Sequence, residues 1–336
     1  MIPKLAVNAY RARLLPLIAL TLALAACATP FRVPVASARH PMITNGYFTL
    51  ASGARLPYRD WLPVGRPRAI VLALHGFNDS RNAWAMPAPR LTAAGIAVFA
   101  PDQRGFGAAP DRGDWPGTAR LVRDTRQMVA ILHRRYRATR LIVMGESMGG
   151  ATSLLLGAQG DPDVSAYVLI APAVWGGKAL SPALRASIAL ADTFVPWLRL
   201  TGQQADIRAT DNMAALRALS EDPLTIHATR IASIAGLTRL MGRAQAACAH
   251  FAPPHALILY GGHDELVPKS AMAQCWRALP LSTGTRLAYY RQDYHLMLLD
   301  HQRARPTTDI IDFILHPNSP LASAATTNAM IFMAEH

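Results

Sequence analysis

Cysteine is scarce, with three in 336 residues, and this excludes a scaffold held together by disulfides. Charge is sparse as well. Only 16% of residues are charged against 51% hydrophobic, which excludes a disordered, self-repelling chain. Lysine is nearly missing: Lys4, Lys178 and Lys269 are the whole complement, so the basic residues are almost all arginine. Acidic residues are few, 21 against 34 basic, leaving a formal charge of +13. Such an excess fits a nucleic-acid or anionic-membrane partner. The arginines are scattered, however, and are densest at Arg134, Arg135, Arg137 and Arg140. No helix-turn-helix, RNA-recognition or zinc pattern accompanies them, so no nucleic-acid partner is expected.

The first apolar run is also too short to span a bilayer, which takes about 20 residues. It covers 14–26, follows Lys4, Arg11 and Arg13, and ends in Leu24-Ala25-Ala26-Cys27. A basic start, a short apolar centre and small residues before the break are the marks of a signal peptide. The ending resembles a bacterial lipobox, which implies cleavage before Cys27 and lipidation of its thiol. Ala28 after the cysteine, in place of aspartate, implies the outer membrane facing the periplasm. The expected organisation is a signal peptide over 1–26, a Pro/Ser/Ala tether over 27–44, a folded domain over 45–316 and a loosely packed tail over 317–336. Without the signal the net charge is +10.

Within the domain, the segments at 47–50 and 56–62 flank Ser52-Gly53 and read as a hairpin. Continuous apolar runs then recur at 69–74 (AIVLAL), 96–100 (IAVFA), 141–144 (LIVM), 167–170 (YVLI) and 256–260 (ALILY), with a last strand at 285–290. Runs of this kind mark strands buried on both faces. Helical segments at 82–94, 118–136, 148–158, 269–279 and 302–315 alternate with them, which predicts a mostly parallel sheet with helices on both faces. One stretch, about 174–250, shows no strand signal. It carries Trp175, Phe194, Val195 and Trp197 among helical patterns, and it reads as a helical cap over the carboxyl edge of the sheet.

Gly145-Glu146-Ser147-Met148-Gly149-Gly150 follows the LIVM run and opens a helix, the context of a nucleophile elbow. Ser147 is the candidate nucleophile. His75-Gly76-Phe77 closes the AIVLAL strand. The Phe77 and Met148 N–H groups are the candidate oxyanion donors, and His75 is read as a structural hydrogen-bonding residue. A carboxylate is expected after a later strand, and Asp264 in Gly261-Gly262-His263-Asp264-Glu265-Leu266-Val267-Pro268 supplies it, with Glu265 and Asp293 as rivals. The base comes last in the order Ser…Asp…His. His295, after the final strand, takes that place.

These motifs, in this order, resemble the α/β-hydrolase fold, and within it the monoacylglycerol lipase and lysophospholipase branch of serine aminopeptidase S33-like hydrolases. The resemblance covers about 47–315. It is carried by HGF at 75–77, DQRGFG at 102–107, GESMGG at 145–150, GGHDELVP at 261–268 and DYHLMLLD at 293–300. Phe106, Glu146 and the Asn78-Asp79-Ser80 segment depart from the branch pattern without touching a triad position. DQRGFG reads as a turn in which Arg104 bonds neighbouring carbonyls.

The resemblance implies a membrane-anchored serine esterase acting on a lipid-like ester through an acyl-enzyme, with no cofactor and no metal. Cys248 and Cys275 lack the partners of a zinc site and stand open between free thiols and a disulfide. Two alternatives remain: an acyltransferase using the same triad, and a non-catalytic lipoprotein that uses the fold as a binding module.

Overall fold

Aliphatic runs buried on both faces build the centre of the molecule. The computed structural model describes residues 40–201, 207–280 and 284–336. Cys27, the signal segment and most of the expected tether lie outside the described residues.

The main sheet contains β1 (Met42–Thr44), β2 (Tyr47–Thr49), β3 (Arg55–Trp61), β4 (Ala69–Leu74), β5 (Ile96–Pro101), β6 (Arg140–Glu146), β7 (Ala166–Ile170), β10 (Ala256–Gly261) and β11 (Thr285–Tyr290). Its order is β1-β2-β3-β5-β4-β6-β7-β10-β11. β1, β2, β3 and β5 pair antiparallel. From β5 to β11 every pairing is parallel. Every residue of β4, β5, β7 and β10 is buried, as helices on both sides of a parallel sheet require.

One layer holds α1 (Ala88–Ala93) and α8 (Ala304–Leu315), which pack Leu91, Ile310, Phe313 and Ile314 under the sheet. The other holds α2 (Thr118–Arg135), α3 (Met148–Ala158) and α7 (Lys269–Ala278), with Leu132, Leu154 and Met272 in its core. Between β7 and β10 lie α4 (Pro182–Phe194), α5 (Met213–Glu221) and α6 (Ile231–Ala247).

Three local expectations change. The tether was drawn to residue 44, yet Met42–Thr44 pair with Tyr47–Thr49 as a strand, because Gly46, at φ 77°, lets the chain reverse there. The cap segment contains a ribbon of β8 (Arg199–Thr201) and β9 (Ala228–Arg230). Strands of three residues are too short to show alternation in the sequence. The tail is packed rather than loose. It folds into α9 (Ala325–Glu335), and its buried Phe332 stacks on Tyr289 at 4.7 Å and meets Trp276 edge-on at 5.3 Å. Ala325 joins one core layer and Phe332 the other, so α9 covers the edge strand β11, an edge that would otherwise be open to pairing.

Cys248 and Cys275 are joined by a disulfide with Cα atoms 5.4 Å apart, closing a span of 27 residues. It ties the 3-10 turn after α6 to α7, on the two sides of β10. A loop of this size is stabilised by about 3–4 kcal/mol in the chain-entropy view.

Candidate active site

β6 ends where Ser147 turns the chain into α3, at φ 53° and ψ −113°. A side chain at positive φ is strained, and the surrounding bonds hold it. Ser147 N–H donates to Ile170 O at 2.9 Å, while its carbonyl accepts the N–H groups of Ala151 and Ala173 at 2.9 and 3.0 Å. The glycines on either side are sterically compelled. A Cβ at Gly145 would lie 2.3 Å from the Gly149 backbone, and one at Gly149 would lie 2.2 Å from Leu74 O. Strand, helix and β4 therefore crowd together, and Ser147 stands at the helix N-terminus, where developing negative charge is favoured.

The loop after β10 and the loop after β11 meet through two further glycines. A Cβ at Gly261 would lie 2.4 Å from Tyr294 O, and one at Gly262 would lie 2.3 Å from Arg291 O. This approach brings Asp264 Oδ2 to 2.8 Å from His295 Nδ1. The other oxygen, Oδ1, accepts the N–H groups of Leu266 and Val267 at 2.8 and 2.9 Å, so the carboxylate is fixed on both sides. His295 is 2% and Asp264 8% exposed. Burial lowers the His295 pKa, but the charge and hydrogen bond of Asp264, with Glu146 and Asp300 beyond, outweigh it and raise the pKa above the ordinary imidazole value. His295 with its Nδ1 held in this way leaves Nε2 free to take a proton.

Ser147 and His295 line one cavity of about 280 Å³. Its walls are mostly apolar: Phe77, Ala173, Leu237, Met241, Val267 and Leu296 among them, with Asn78, Asp79 and Thr225 as the polar exceptions. Leu219, Leu237 and Met241 come from the cap, which thus roofs Ser147. Gly76 sits beside Ser147, since a Cβ there would lie 3.6 Å from Ser147 Cβ. The Phe77 N–H has no backbone acceptor among the described residues, and the Met148 N–H is the first of its helix and has no partner inside it. Both are available to an oxygen.

His75 is no base. It is buried, its Nδ1 bonds Gly76 O at 2.7 Å, and its Nε2 accepts the Gln103 N–H at 3.0 Å. Burial lowers its pKa, so it stays neutral. Phe106, which departs from the branch pattern, packs edge-on against both His75 and Phe77 at 5.9 and 5.6 Å. Its ring supports the turn at 75–77.

Arg104 departs from expectation. Among the described residues it bonds no carbonyl; its Nε donates to Asp124 Oδ2 at 2.7 Å and its Nη2 to Ser52 Oγ at 3.3 Å. Asp124 is buried, and an arginine shielded from water is satisfied best by a carboxylate. Of the rival acids, Glu265 is exposed and accepts the Arg208 N–H, and Asp293 has a buried, unpartnered Oδ2. His263 is exposed and meets Tyr294 edge-on.

Sequence reasoning gave no role to Asp79, Glu146 or Asp300, and weighed Asp293 only as a rival to Asp264. Burial pushes Glu146 up to about 8 and Asp79 up to about 7, with repulsion from Asp79 and Asp300 adding to the first and from Asp222 and Asp102 to the second. Burial and Asp300 push Asp293 up to about 7. Asp300 accepts from Thr210 Oγ1 at 2.6 Å and Tyr294 N–H at 2.7 Å, tying the loop that carries His295 to the cap. The acids are visible in Asn78-Asp79-Ser80, GESMGG and DYHLMLLD, but their clustering is a tertiary fact.

No group of three or more metal-ligating side chains occurs among the described residues. The family model described as serine aminopeptidase, S33, matches residues 65–302. A monoacylglycerol lipase of Mycolicibacterium smegmatis is 31% identical over 224 residues, 66% of this chain and 79% of that protein. The human monoglyceride lipase is 24% identical over 272 residues, 80% and 86% of the two chains. A soluble variant of monoglyceride lipase from Saccharomyces cerevisiae, solved in complex with a substrate analog, superposes with a TM-score of 0.68 at 20% identity, over 87% of this chain and all of that one. At that identity the likeness is one of fold.

Proposed function

The chain belongs to the serine aminopeptidase S33 family and is a serine carboxylic-ester hydrolase, and from this premise we propose that Ser147, His295 and Asp264 hydrolyse a single-chain lipid ester, a monoacylglycerol, through an acyl-enzyme. The observation that carries the reading is the shared cavity. Ser147 and His295 both line an apolar chamber roofed by the cap, with a short polar stretch beside the Phe77 turn.

In this mechanism His295 Nε2 takes the Ser147 proton as Oγ adds to the ester carbonyl. Asp264 stabilises the imidazolium. The carbonyl oxygen becomes an oxyanion between the N–H groups of Phe77 and Met148, where each donor is worth about 3–4 kcal/mol in the transition state. The tetrahedral adduct collapses, the imidazolium protonates the departing alcohol, and Ser147 carries the acyl group. Water, deprotonated by His295, then adds to the acyl-enzyme; its collapse releases the acid and restores the Ser147 hydroxyl.

The polar groups favour a neutral head group. Asn78 and Asp79 line the chamber, and among the described residues no arginine or lysine does. A phosphate entering it would lose its water with no basic side chain to pair with, so a lysophospholipid is the poorer substrate. The cap also exposes Leu190, Phe194, Trp197, Leu198 and Leu200, side chains suited to a lipid surface. Lipidation at Cys27 and a position in the bacterial envelope complete the proposal; they rest on the residues of the signal segment.

The test is product analysis with purified enzyme on matched palmitoyl glycerol and palmitoyl lysophosphatidyl substrates. Free acid and glycerol from the first, at least ~10-fold faster than from the second, is expected from loss of about 1.4 kcal/mol or more with the charged head. Faster turnover of the lysophospholipid overturns the head-group assignment, and acyl transfer to added glycerol in place of acid release overturns hydrolysis. For the anchor, Cys27→Ser is expected to abolish palmitate incorporation.

A further inference from the structure

The peptide unit joining Gly76 to Phe77 has one oxygen and one N–H, and a trans peptide points them in opposite directions. The oxygen is taken: His75 Nδ1–H donates to it at 2.7 Å, and His75 is itself fixed by the Gln103 N–H on Nε2. That bond turns the Phe77 N–H away from His75. One bond leaves the following residue free to rotate the unit, and the structure closes that freedom at Asn78.

Asn78 sits at φ 64°, a left-handed conformation that asparagine tolerates better than most side chains. It is fastened to the cap twice. Its carbonyl accepts the Ile226 N–H at 2.8 Å, and its side-chain amide donates to Thr229 Oγ1 at 2.5 Å. Thr229 is buried in β9. The same seam continues: Asn82 Nδ2 donates to Asp222 at 2.8 Å, Arg112 to the carbonyls of Pro223 and Thr225 at 2.7 and 3.1 Å, and Ser233 Oγ to Gly113 O at 3.0 Å. Residues 222–233 of the cap are thus stitched to the loops that border Ser147. Packing reinforces the seam. Trp115 tilts against Phe77 at 6.4 Å and against Gly236 of α6, where a Cβ would lie 2.3 Å from the indole.

We propose that Asn78 is a positioning residue for the oxyanion hole and that Thr229 and Ile226 of the cap hold it, so that the hole is complete only with the cap seated. The cap is then more than a roof over the acyl chain: its displacement relaxes Asn78 and with it the Phe77 N–H. The proposal rests on the reading of that N–H as an oxyanion donor. It separates two roles of the cap, because the clamp acts on the transition state, whereas Leu237 and Met241 act on binding of the chain.

The experiment measures kcat and KM with p-nitrophenyl butyrate for wild type, Thr229→Val, Thr229→Ser, Asn78→Gly and Asn78→Ala, each checked by melting temperature. Thr229→Val keeps the shape and removes the acceptor. Asn78→Gly keeps the left-handed turn and removes the amide. Both are expected to lower kcat about 10- to 100-fold, the scale of a displaced catalytic group, with KM within about twofold. Asn78→Ala is expected to be worse, and Thr229→Ser to recover to within about threefold, on the same grounds.

Wild-type kcat in Thr229→Val and Asn78→Gly overturns the proposal, as does a loss in kcat that Thr229→Ser fails to recover. Reaction of wild type with a fluorophosphonate separates the two levels. No reaction at Ser147 removes the underlying site reading. Normal reaction of wild type and Thr229→Val alike removes the clamp alone.

Discussion

Asp264 Oδ2 and His295 Nδ1 lie 2.8 Å apart across the loops that follow β10 and β11, buried from water at both ends. The pair exists because Gly261 and Gly262 let the two loops touch. Asp264→Asn replaces the acceptor with an amide that can face Nδ1 with its own N–H, so the ring can flip to the wrong tautomer. The expected loss in kcat is about 10³- to 10⁴-fold with the fold intact. Steady-state kinetics beside a melting curve reads it; a loss under tenfold contradicts the assignment.

The same pair sets a pH limit. A general base works when neutral, and the His295 pKa lies above the ordinary imidazole value because Asp264 outweighs the effect of burial. Activity is therefore expected to fall on the acid side with an apparent pKa above about 6.5, the unperturbed value. A pH profile of kcat/KM measures it. An acid limb centred well below that value contradicts the electrostatic account.

Glu146, Asp79 and Asp293 make a second pH prediction. Their carboxyls ionise in the fold near 8, 7 and 7, far above unfolded values, with burial as the leading cause. The folded state holds more protons than the unfolded one between about pH 4 and 8, so stability falls as pH rises through that window. Melting temperature is expected to be higher at pH 5.5 than at pH 8.5. Glu146→Gln, which cannot ionise, is expected to show a flatter dependence; an unchanged slope in that variant would falsify the assignment of Glu146.

The covalent and packed ends offer a separate check. Cys248→Ser with Cys275→Ser opens the disulfide, with an expected cost of about 2–4 kcal/mol. Phe332→Ala empties the space between Tyr289 and Trp276, with an expected cost of about 3–5 kcal/mol. Denaturant unfolding of both measures the costs. A change under 1 kcal/mol for Phe332→Ala would mean that α9 is not part of the core, given the usual scale of such truncations (~3 kcal/mol or more).

The inner strands of the parallel sheet were legible because burial on both faces leaves an uninterrupted apolar run, and AIVLAL matches β4 residue for residue; the partly buried edge strand β11 also falls at the expected 285–290. The elbow was legible because its two glycines answer a local crowding that any sequence must meet at that turn. β8 and β9 were not, since three residues carry no period. The tail helix was hidden because its one large anchor, Phe332, has meaning only beside Tyr289, Trp276 and Tyr260. The Asn78 clamp joins residues 151 apart, and Asn78 by itself is an ordinary turn residue. The ionisation of Glu146 and Asp79 follows from neighbours that the sequence does not place together.

The most direct measurement is covalent labelling by a fluorophosphonate probe of protein beginning near Thr29, followed by mass mapping of the labelled peptide, for wild type, Ser147→Ala and His295→Ala. The account predicts one label on wild type, located at Ser147, none on Ser147→Ala, and labelling of His295→Ala slowed by about 10³-fold or more for want of the base. Equal labelling of all three proteins, or a label on wild type at any other residue, contradicts it.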